Sequence, residues 1–251
     1  MTQHIERERQ DRVLVIRINR QDKLNALTHE MYAAIADGLE EAASDAAIRA
    51  VVITAHGDFF TAGNDISDFA KGMPEGKPPV MRFLEGLRDA PKPVIAGVNG
   101  AAIGVGLTLL LHCDLSFAAE NATFRAPFPQ IGLVPEAGSS LLLPRALGMA
   151  WANDILLAGR TLNAEEALSA GLISRIYPSD ELHQNVLATA QELASYAPNA
   201  IRKSKELIRT GRDAVTEQMM REGVHFGAQL KSPEFAEAAA AFREKRPPQF
   251  D

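Results

Sequence analysis

Short apolar strands alternate with helical segments along most of this chain, and that order limits the folds it can adopt. Residues 12–19 alternate apolar and polar side chains and are rich in β-branched residues, which is typical of a strand. Ala50 to Thr54 is apolar throughout, as expected for a strand covered on both faces. Between them, an apolar stripe recurs every four residues after Thr28, a good helix N-cap. Because the strands are short and separated by helices, we predict an α/β core without local hairpins.

The same order continues as far as Tyr177. Asn163 and Glu166 form a capping-box pattern for a helix that Gly171 ends. The Gly- and Pro-rich stretch from Gly72 to Pro79 is either a mobile rim of a site or a plain surface connection. Further strands are predicted at 92–98, 115–119, 123–126 and 173–177, and a nearly all-apolar helix is predicted at 104–112.

The last quarter of the chain is helical without strands. Helices are predicted at 181–196, 199–210, 213–230 and 233–243, the last of them capped by Ser232. Helices without a sheet to lie on form either a small bundle or an arm that docks elsewhere. A symmetric oligomer is the usual way to bury such an arm. We therefore divide the chain into a core at 1–195 and a C-terminal helical region at 196–251.

Composition excludes several classes of protein. The 251 residues carry a formal net charge of −6, which argues against nucleic acid as the main partner. The single Cys113 excludes an intramolecular disulfide and a cysteine zinc site, and no metal is expected. No apolar run approaches the roughly 18 residues of a membrane span. The N-terminus lacks a secretory apolar region and the C-terminus lacks a peroxisomal signal, so we expect a cytoplasmic protein.

Three segments carry the residues suited to chemistry: AGND at 62–65, NGAAIGVG at 99–106 and GLVPEAGSS at 132–140. A glycine before a helix leaves the first N–H groups unpaired, so the N–H of Val105 would face outward at the positive helix end. The turn formed by Gly63, Asn64 and Asp65 can offer a second N–H. Two such donors and the carboxylate of Glu136 would suit enolate chemistry. Taken singly, each segment is equally compatible with a turn, a packing glycine or a first-turn helix acid.

In this order and spacing the segments resemble the crotonase superfamily, the enoyl-CoA hydratase and isomerase fold. The resemblance spans nearly the whole chain, from KLNAL at 23–27 through GRTLNAEEALSAGLI at 159–173 to REKRPPQF near the end. It implies a crotonase-like spiral core of short strands and helices with a C-terminal helical oligomerisation region. A homotrimer or hexamer is therefore expected.

The resemblance also assigns residues. The oxyanion-hole donors fall on the backbone N–H groups of Asn64 and Val105. The substrate is expected as a coenzyme A thioester, without a prosthetic group. Residues expected to hold the adenine end of coenzyme A are Lys23, Leu24, Ala62 and Ile66, and the basic residues to test for phosphate contact are Arg82, Lys92, Lys245 and Arg246.

Two departures from the family pattern bear on the reaction. Hydratases of the two-glutamate type carry Glu where this chain has Thr108 and Phe128, so hydration by that mechanism is disfavoured. The run PFPQIGLVPEAGSS is similar to the segment that carries the catalytic Glu of 3-enoyl-CoA to 2-enoyl-CoA isomerases, and GND replaces the usual GAD. We therefore predict an isomerase with Glu136 as proton shuttle. A hydratase or related reaction, or a non-catalytic acyl-CoA-binding subunit, stays open as an alternative.

A double-bond shift through a dienolate also requires that water be excluded. Phe128, Leu133, Val134 and Trp151 are the residues expected to line the dry pocket.

Overall fold

The computed structural model describes residues 2–69 and 76–250. These residues form ten strands and eleven α-helices. The strands are β1 (Ile5–Gln10), β2 (Val13–Ile18), β3 (Ala50–Ala55), β4 (Phe59–Thr61), β5 (Val94–Val98), β6 (Ala101–Ile103), β7 (Leu115–Ala119), β8 (Thr123–Arg125), β9 (Leu162–Asn163) and β10 (Arg175–Tyr177). The helices are α1 (His29–Ser44), α2 (Ile66–Phe69), α3 (Pro79–Asp89), α4 (Val105–Thr108), α5 (Ser139–Leu147), α6 (Met149–Leu156), α7 (Ala164–Ala170), α8 (Leu182–Ser195), α9 (Pro198–Ile208), α10 (Arg212–Gln229) and α11 (Pro233–Glu244).

Six strands form the larger sheet, in the order β1-β2-β3-β5-β7-β10. All its neighbours are parallel except β1 and β2, which are antiparallel. Alternate residues of β2 and β3 enter two separate cores. Val13, Val15 and Val52 pack with α8 on one face of the sheet, and Leu14 and Ile16 belong to the main core on the other face. Burial on both faces explains the unbroken apolar sequence of β3.

A second, four-stranded sheet has the order β4-β6-β8-β9. β4, β6 and β8 are parallel, and β9 pairs with β8 in the opposite direction. The parallel strands are three residues each, so the connections that follow them leave the sheet close together. This small sheet positions the candidate site.

The structure confirms the α/β class and several local predictions. Thr28 caps α1, since its hydroxyl accepts a hydrogen bond from the N–H of Met31 at 3.3 Å. The capping box between Asn163 and Glu166 is complete, and Gly171 ends α7 with a φ of 84°. Ser232 caps α11.

Two local predictions are wrong, and α3 is missing from the predictions. β1 and β2 form a hairpin, although none was expected. β1 lies at the sheet edge and reads IERERQ, so its mostly charged sequence carries no apolar period. α3 was not anticipated, although Val80, Phe83, Leu84 and Leu87 recur at helical spacing. The predicted helix at 104–112 is α-helical only to Thr108 and then continues as a 3₁₀ turn to His112.

The C-terminal helices return to the core of their own chain. α10 packs against α5, and α11 packs against the 3₁₀ turn at Pro129–Ile131. Apolar side chains remain exposed on the outer faces of this region, at Leu207, Ile208, Met220, Val224 and Phe242. The division at residue 195 and the homotrimer or hexamer stay predictions.

Two further expectations concern the loop from Gly72 to Pro79 and membrane-spanning segments. Residues 72–75 of the predicted Gly72 to Pro79 loop lie outside the described residues, and Pro79 begins α3. None of the helices in the described ranges is long and apolar enough to cross a membrane.

Candidate active site

The AGND loop and the GVG turn meet because β4 and β6 are parallel neighbours. Phe59 pairs with Ala101, and Asn64 and Val105 each follow their strand within three residues. Carboxyl ends of parallel strands share one sheet edge, where α/β proteins build their sites. The two loops approach so closely that little room is left for a side chain at Gly63. A Cβ there would lie 3.1 Å from the carbonyl oxygen of Ile103.

Both loops leave one N–H group outside the regular hydrogen-bonding pattern. Val105 is the first residue of α4, and the first N–H groups of a helix have no intrahelical partner. Gly104 before it adopts a φ of 58°, which glycine tolerates best. On the other loop, Leu27 bonds to the carbonyl of Gly63 at 2.8 Å and to the N–H of Asp65 at 2.9 Å. These two hydrogen bonds involve Gly63 and Asp65 but not the N–H of Asn64 between them.

The side chain of Asn64 is held from the core. The phenol of Tyr32 on α1 donates a hydrogen bond to Asn64 Oδ1. Tyr32 is fully buried, and its ring centroid lies 5.3 Å from that of Phe83. Burial raises the pKa of Tyr32 well above its ordinary value, and the charge of Glu136 raises it further. The phenol therefore stays protonated and keeps donating.

The KLNAL segment lies along the AGND loop, as the resemblance implies. The N–H of Ala62 donates to the carbonyl of Leu24 at 3.0 Å, and Ile66 begins α2 directly after the loop. Lys23 ends a 3₁₀ turn, and Leu24 is 49% exposed with a φ of 52°. The structure thus brings these four predicted coenzyme-binding residues to one exposed rim.

An ion pair fixes this rim to the core. Asp65 lies 2.6 Å from the Arg20 guanidinium. Burial works against ionisation of Asp65, but hydrogen bonds from Ser67 and Arg20 outweigh it and lower its pKa to about 2. The carboxylate therefore stays charged over the physiological range.

Glu136 lies in the loop before α5 and is connected to α4. The hydroxyl of Thr108, one turn after Val105, donates a hydrogen bond to Glu136 Oε1. Burial raises the pKa of Glu136 to about 7, the hydrogen bond from Thr108 opposes that rise, and the charge of Glu222 adds to it. A carboxyl with this pKa exchanges a proton readily near neutral pH.

Two neighbours of this loop are inert. The ring of His112 lies against the carbonyl of Ala137, with Nε2 at 2.7 Å, and burial lowers its pKa to about 4. The neutral ring therefore donates to that carbonyl and supports the loop. Burial raises the pKa of the Cys113 thiol to about 12, which agrees with an unreactive cysteine.

A cavity of about 190 Å³ contains both Asn64 and Glu136. Its other walls come from α3, α10 and the residues beside them: Pro78, Val80, Met81, Leu84, Ala137, Met219, Gly223, Phe226, Gly227 and Leu230. Among the described residues of the lining, Glu136 carries the one ionisable side chain. The cavity can therefore hold an apolar group against a single carboxylate.

The residues predicted from the sequence to line the dry pocket lie elsewhere. Phe128 and Leu133 belong to the main core and are 5% and 8% exposed. Trp151 lies on α6, and the guanidinium carbon of Arg160 lies over its ring, 5.3 Å from the ring centroid. Neither these three nor Val134 lines the described part of the cavity. The helical spacing of α3 could have revealed its wall, whereas nothing local indicates that α10 returns to the loop of Glu136.

Most basic residues proposed for phosphate contact already have partners in this chain. Carboxylates of α1 contact Arg82, and carboxylates of α11 contact Arg246. Main-chain carbonyls accept hydrogen bonds from Lys92. Lys245 forms the C-cap of α11 with a φ of 54°.

The architecture is that of the crotonase superfamily of acyl-CoA enzymes. The chain belongs to the enoyl-CoA hydratase/isomerase family, whose model matches residues 8–251. The crystal structure of an enoyl-CoA hydratase/isomerase from Pseudoalteromonas atlantica T6c has a TM-score of 0.96 at 53% identity and covers 99% of this chain and 100% of its own.

Relatives of this chain are named for more than one reaction. The 2,3-dehydroadipyl-CoA hydratase of Escherichia coli (strain K12) is 34% identical over 248 residues, which are 96% of each chain. Enoyl-CoA delta isomerase 2 of Rattus norvegicus is 38% identical over 201 residues, which are 77% of this chain and 51% of the rat protein. The family thus gives a coenzyme A thioester as substrate, and the residues of the site must indicate the reaction.

Replacing Gly106 with alanine tests the contact between the two loops. The new Cβ would lie 2.6 Å from Cγ2 of Thr61, so α4 must shift away from β4. We expect Gly106→Ala to lower the free energy of unfolding by about 1–3 kcal/mol, measured by urea denaturation. Adding Thr61→Ser removes the colliding methyl group and keeps the hydroxyl that bonds Asn25 and Gly63. The double variant should recover most of the loss, and no recovery would contradict this contact.

The raised pKa of Glu136 predicts a pH-dependent stability. The folded protein holds the proton up to about pH 7, and the unfolded chain releases it near 4.5, so the contribution of Glu136 to the free energy of unfolding falls across that window. Buried His112, with its pKa lowered to about 4, contributes in the opposite direction, equally in wild type and variant. The shift corresponds to roughly 3 kcal/mol. Relative to Glu136→Gln, the wild type should lose about that amount between about pH 4.5 and 8 in urea denaturation. The exposed Glu165→Gln is the control, and a parallel pH dependence of wild type and Glu136→Gln would contradict the assignment.

Proposed function

We propose that this protein is an enoyl-CoA isomerase that converts 3-enoyl-CoA thioesters into 2-enoyl-CoA thioesters. The observation that carries the proposal is a half-buried carboxylate, Glu136, which lines the same cavity as Asn64, is the one ionisable side chain among the described lining residues, and has a pKa of about 7. Thr108 and Phe128 stand where the two-glutamate hydratases carry their acids. A double-bond shift needs one base, whereas hydration needs a second group to activate water.

The proposed reaction moves one proton. Ionised Glu136 removes a proton from the α-carbon, and the electrons move into the thioester carbonyl to give a dienolate. The N–H groups of Asn64 and Val105 donate hydrogen bonds to the developing oxyanion. Neutral Glu136 then returns the proton to the γ-carbon, and the carbonyl re-forms with the double bond between the α- and β-carbons. A base whose pKa lies near the working pH serves both proton transfers.

Thr108 has a role in this scheme. In hydratases of the two-glutamate type its position holds an acid, and here a hydroxyl donates to Glu136. That hydrogen bond favours the ionised carboxylate and orients one of its oxygens. It therefore opposes the burial that would otherwise keep Glu136 protonated.

The cavity indicates the chemistry of the acyl group. Val80, Met81 and Leu84 of α3 face Met219 and Phe226 of α10 across it. Apolar walls exclude water that would protonate the dienolate at random. We propose an unsubstituted hydrocarbon acyl chain as the preferred substrate.

The coenzyme portion is proposed to lie on the rim described above. Lys23, Leu24, Ala62 and Ile66 would hold its adenine end, partly through backbone atoms. Their support is their position beside Asn64, where the thioester carbonyl would bind. The thioester group is the covalent link between coenzyme and acyl chain, so a rim and a cavity on either side of Asn64 suit such a substrate.

Hydration is the competing reaction, because a relative from Escherichia coli is named as a hydratase. Incubation with paired 3-enoyl-CoA and 2-enoyl-CoA thioesters separates the two. An isomerase interconverts them, whereas a hydratase converts the 2-enoyl thioester into 3-hydroxyacyl-CoA. Binding of both thioesters without turnover would support a non-catalytic subunit and overturn the proposal.

Glu136→Gln tests the proton shuttle. The amide keeps the size of the side chain and cannot accept the α-proton, so we expect isomerisation to fall by at least about 10³-fold. Affinity for the acyl-CoA should change little, measured by equilibrium binding. Glu165→Gln, an exposed change on α7, should retain wild-type turnover. Substantial activity of Glu136→Gln would remove Glu136 from the mechanism.

Val105→Pro tests one oxyanion donor. Proline lacks the N–H group but is tolerated at the first position of a helix, which Val105 occupies in α4. We expect turnover to fall by about 10²–10³-fold, the cost of one such donor. Circular dichroism and thermal unfolding should show an intact fold, and Val105→Ala, which retains the N–H, serves as control. Equal turnover of the proline and alanine variants would exclude this donor.

A further inference from the structure

Glu222 is a buried carboxylate that the proposed reaction does not use. It lies on α10 and is 5% exposed. Its oxygens accept hydrogen bonds from the N–H of Gly138 at 2.6 Å and from the N–H of Ser140 at 3.0 Å, and also from the hydroxyl of Ser140. All of its partners lie in the loop and first turn that follow Glu136.

These contacts supply a cap that α5 lacks. The N-cap of α5 is Gly138, which has no side chain to accept from the first turn. Glu222 provides the acceptor from a distant helix, and its charge faces the positive end of α5. Burying a carboxylate is costly unless hydrogen bonds satisfy it, so this arrangement fixes α10 and the loop to one another.

The loop needs such support. Ala137 has a φ of 59°, a left-handed conformation that is unfavourable for a residue with a Cβ. Strained backbone persists where surrounding contacts hold it. α10 supplies two more contacts, from Gln218 to the hydroxyl of Ser140 at 2.8 Å and from Gln229 to the carbonyl of Gly132 at 3.2 Å. Glu136 thus lies between two points at which α10 holds its segment.

We propose that Glu222 is the positioning residue of the active site, which holds the Glu136 loop against the cavity and keeps the Glu136 carboxylate an effective proton acceptor and donor. This rests on the proposed function of Glu136. Glu222 would act through Gly138 and Ser140 and would not contact the substrate. The same helix forms a wall of the cavity with Met219, so the substrate cavity and the base would share one support.

The groups around Glu136 predict the direction in which each substitution should shift the pKa of Glu136. Four groups face it or its loop: Thr108 from α4, Tyr32 from α1, His112 from the 3₁₀ turn after α4, and Glu222 from α10. α3 presents apolar side chains to the cavity. His112 and Tyr32 stay neutral near pH 7 because burial shifts their pKa values away from it. Glu222 raises the pKa of Glu136 and Thr108 lowers it.

The test compares Glu222→Gln, Glu222→Ala and Thr108→Val with wild type, using a 3-enoyl-CoA substrate from about pH 5.5 to 9. Glu222→Gln removes the charge and keeps an acceptor oxygen, so the acidic limb of kcat/KM should move to lower pH. Thr108→Val should move it to higher pH. Glu222→Ala should lower kcat by about tenfold with KM little changed, because the base loses its position. Exposed Glu217→Gln, also on α10, is the matched control.

A measurement without substrate separates this proposal from the proposed function. The part of the pH dependence of unfolding that Glu136→Gln removes is a fall in the free energy of unfolding, and it reports the proton on Glu136, because the opposite contribution of His112 is common to all variants. Glu222→Gln should reduce that fall, whether or not the protein isomerises enoyl thioesters. If Glu222→Ala does not fold, Glu222→Gln decides the test. An unmoved acidic limb together with an unchanged pH dependence of unfolding would overturn the role of Glu222, and an active Glu136→Gln would overturn the proposed function instead.

Discussion

The contact between two parallel strands of the small sheet is the constraint on which the active site depends. β4 and β6 run side by side for only a few residues, and their following loops meet at one edge. Glycine permits that meeting, because a side chain on Gly63 or Gly106 would press against the opposite strand. One loop carries Asn64 and the other begins α4 with Val105. The N–H groups proposed to bind an oxyanion are thus set by backbone packing, which makes them rigid before any substrate arrives.

α4 links this pair of loops to the carboxylate. It begins with the free N–H of Val105 and ends at Thr108, whose hydroxyl bonds Glu136. Burial gives Glu136 its unusual pKa and also makes it a cost to the fold at alkaline pH. Enzymes commonly retain such costs at functional sites, where the shifted pKa is useful. α10 supports the loop that carries Glu136 and forms one wall of the cavity, while the charge of its Glu222 adds to that cost.

The regular parts of the fold are predictable from the sequence, and the parts that are not are those for which the sequence carries no local signal. Capping residues such as Thr28 and Asn163 act within one turn, so their spacing was enough to place the helices they start. β1 was missed because its charged sequence, which suits the edge of a sheet, carries no apolar period. The cavity lining was predicted from Phe128, Leu133, Val134 and Trp151, and the first two of these belong to the core. Its walls come instead from α3 and α10, which are separated in sequence by more than a hundred residues.

The amino-acid sequence by itself determined the α/β class, the family, and the segments that contain Asn64, Val105 and Glu136. Local chemistry suffices for these, because glycine turns, helix caps and apolar periods act over a few residues. Only the tertiary structure decided that Glu136 lies half-buried in the cavity, that Thr108 donates to it, and that Glu222 supports its loop from 86 residues away. Burial and long-range hydrogen bonds depend on which surfaces the folded chain brings together, and no local pattern in the sequence carries that information.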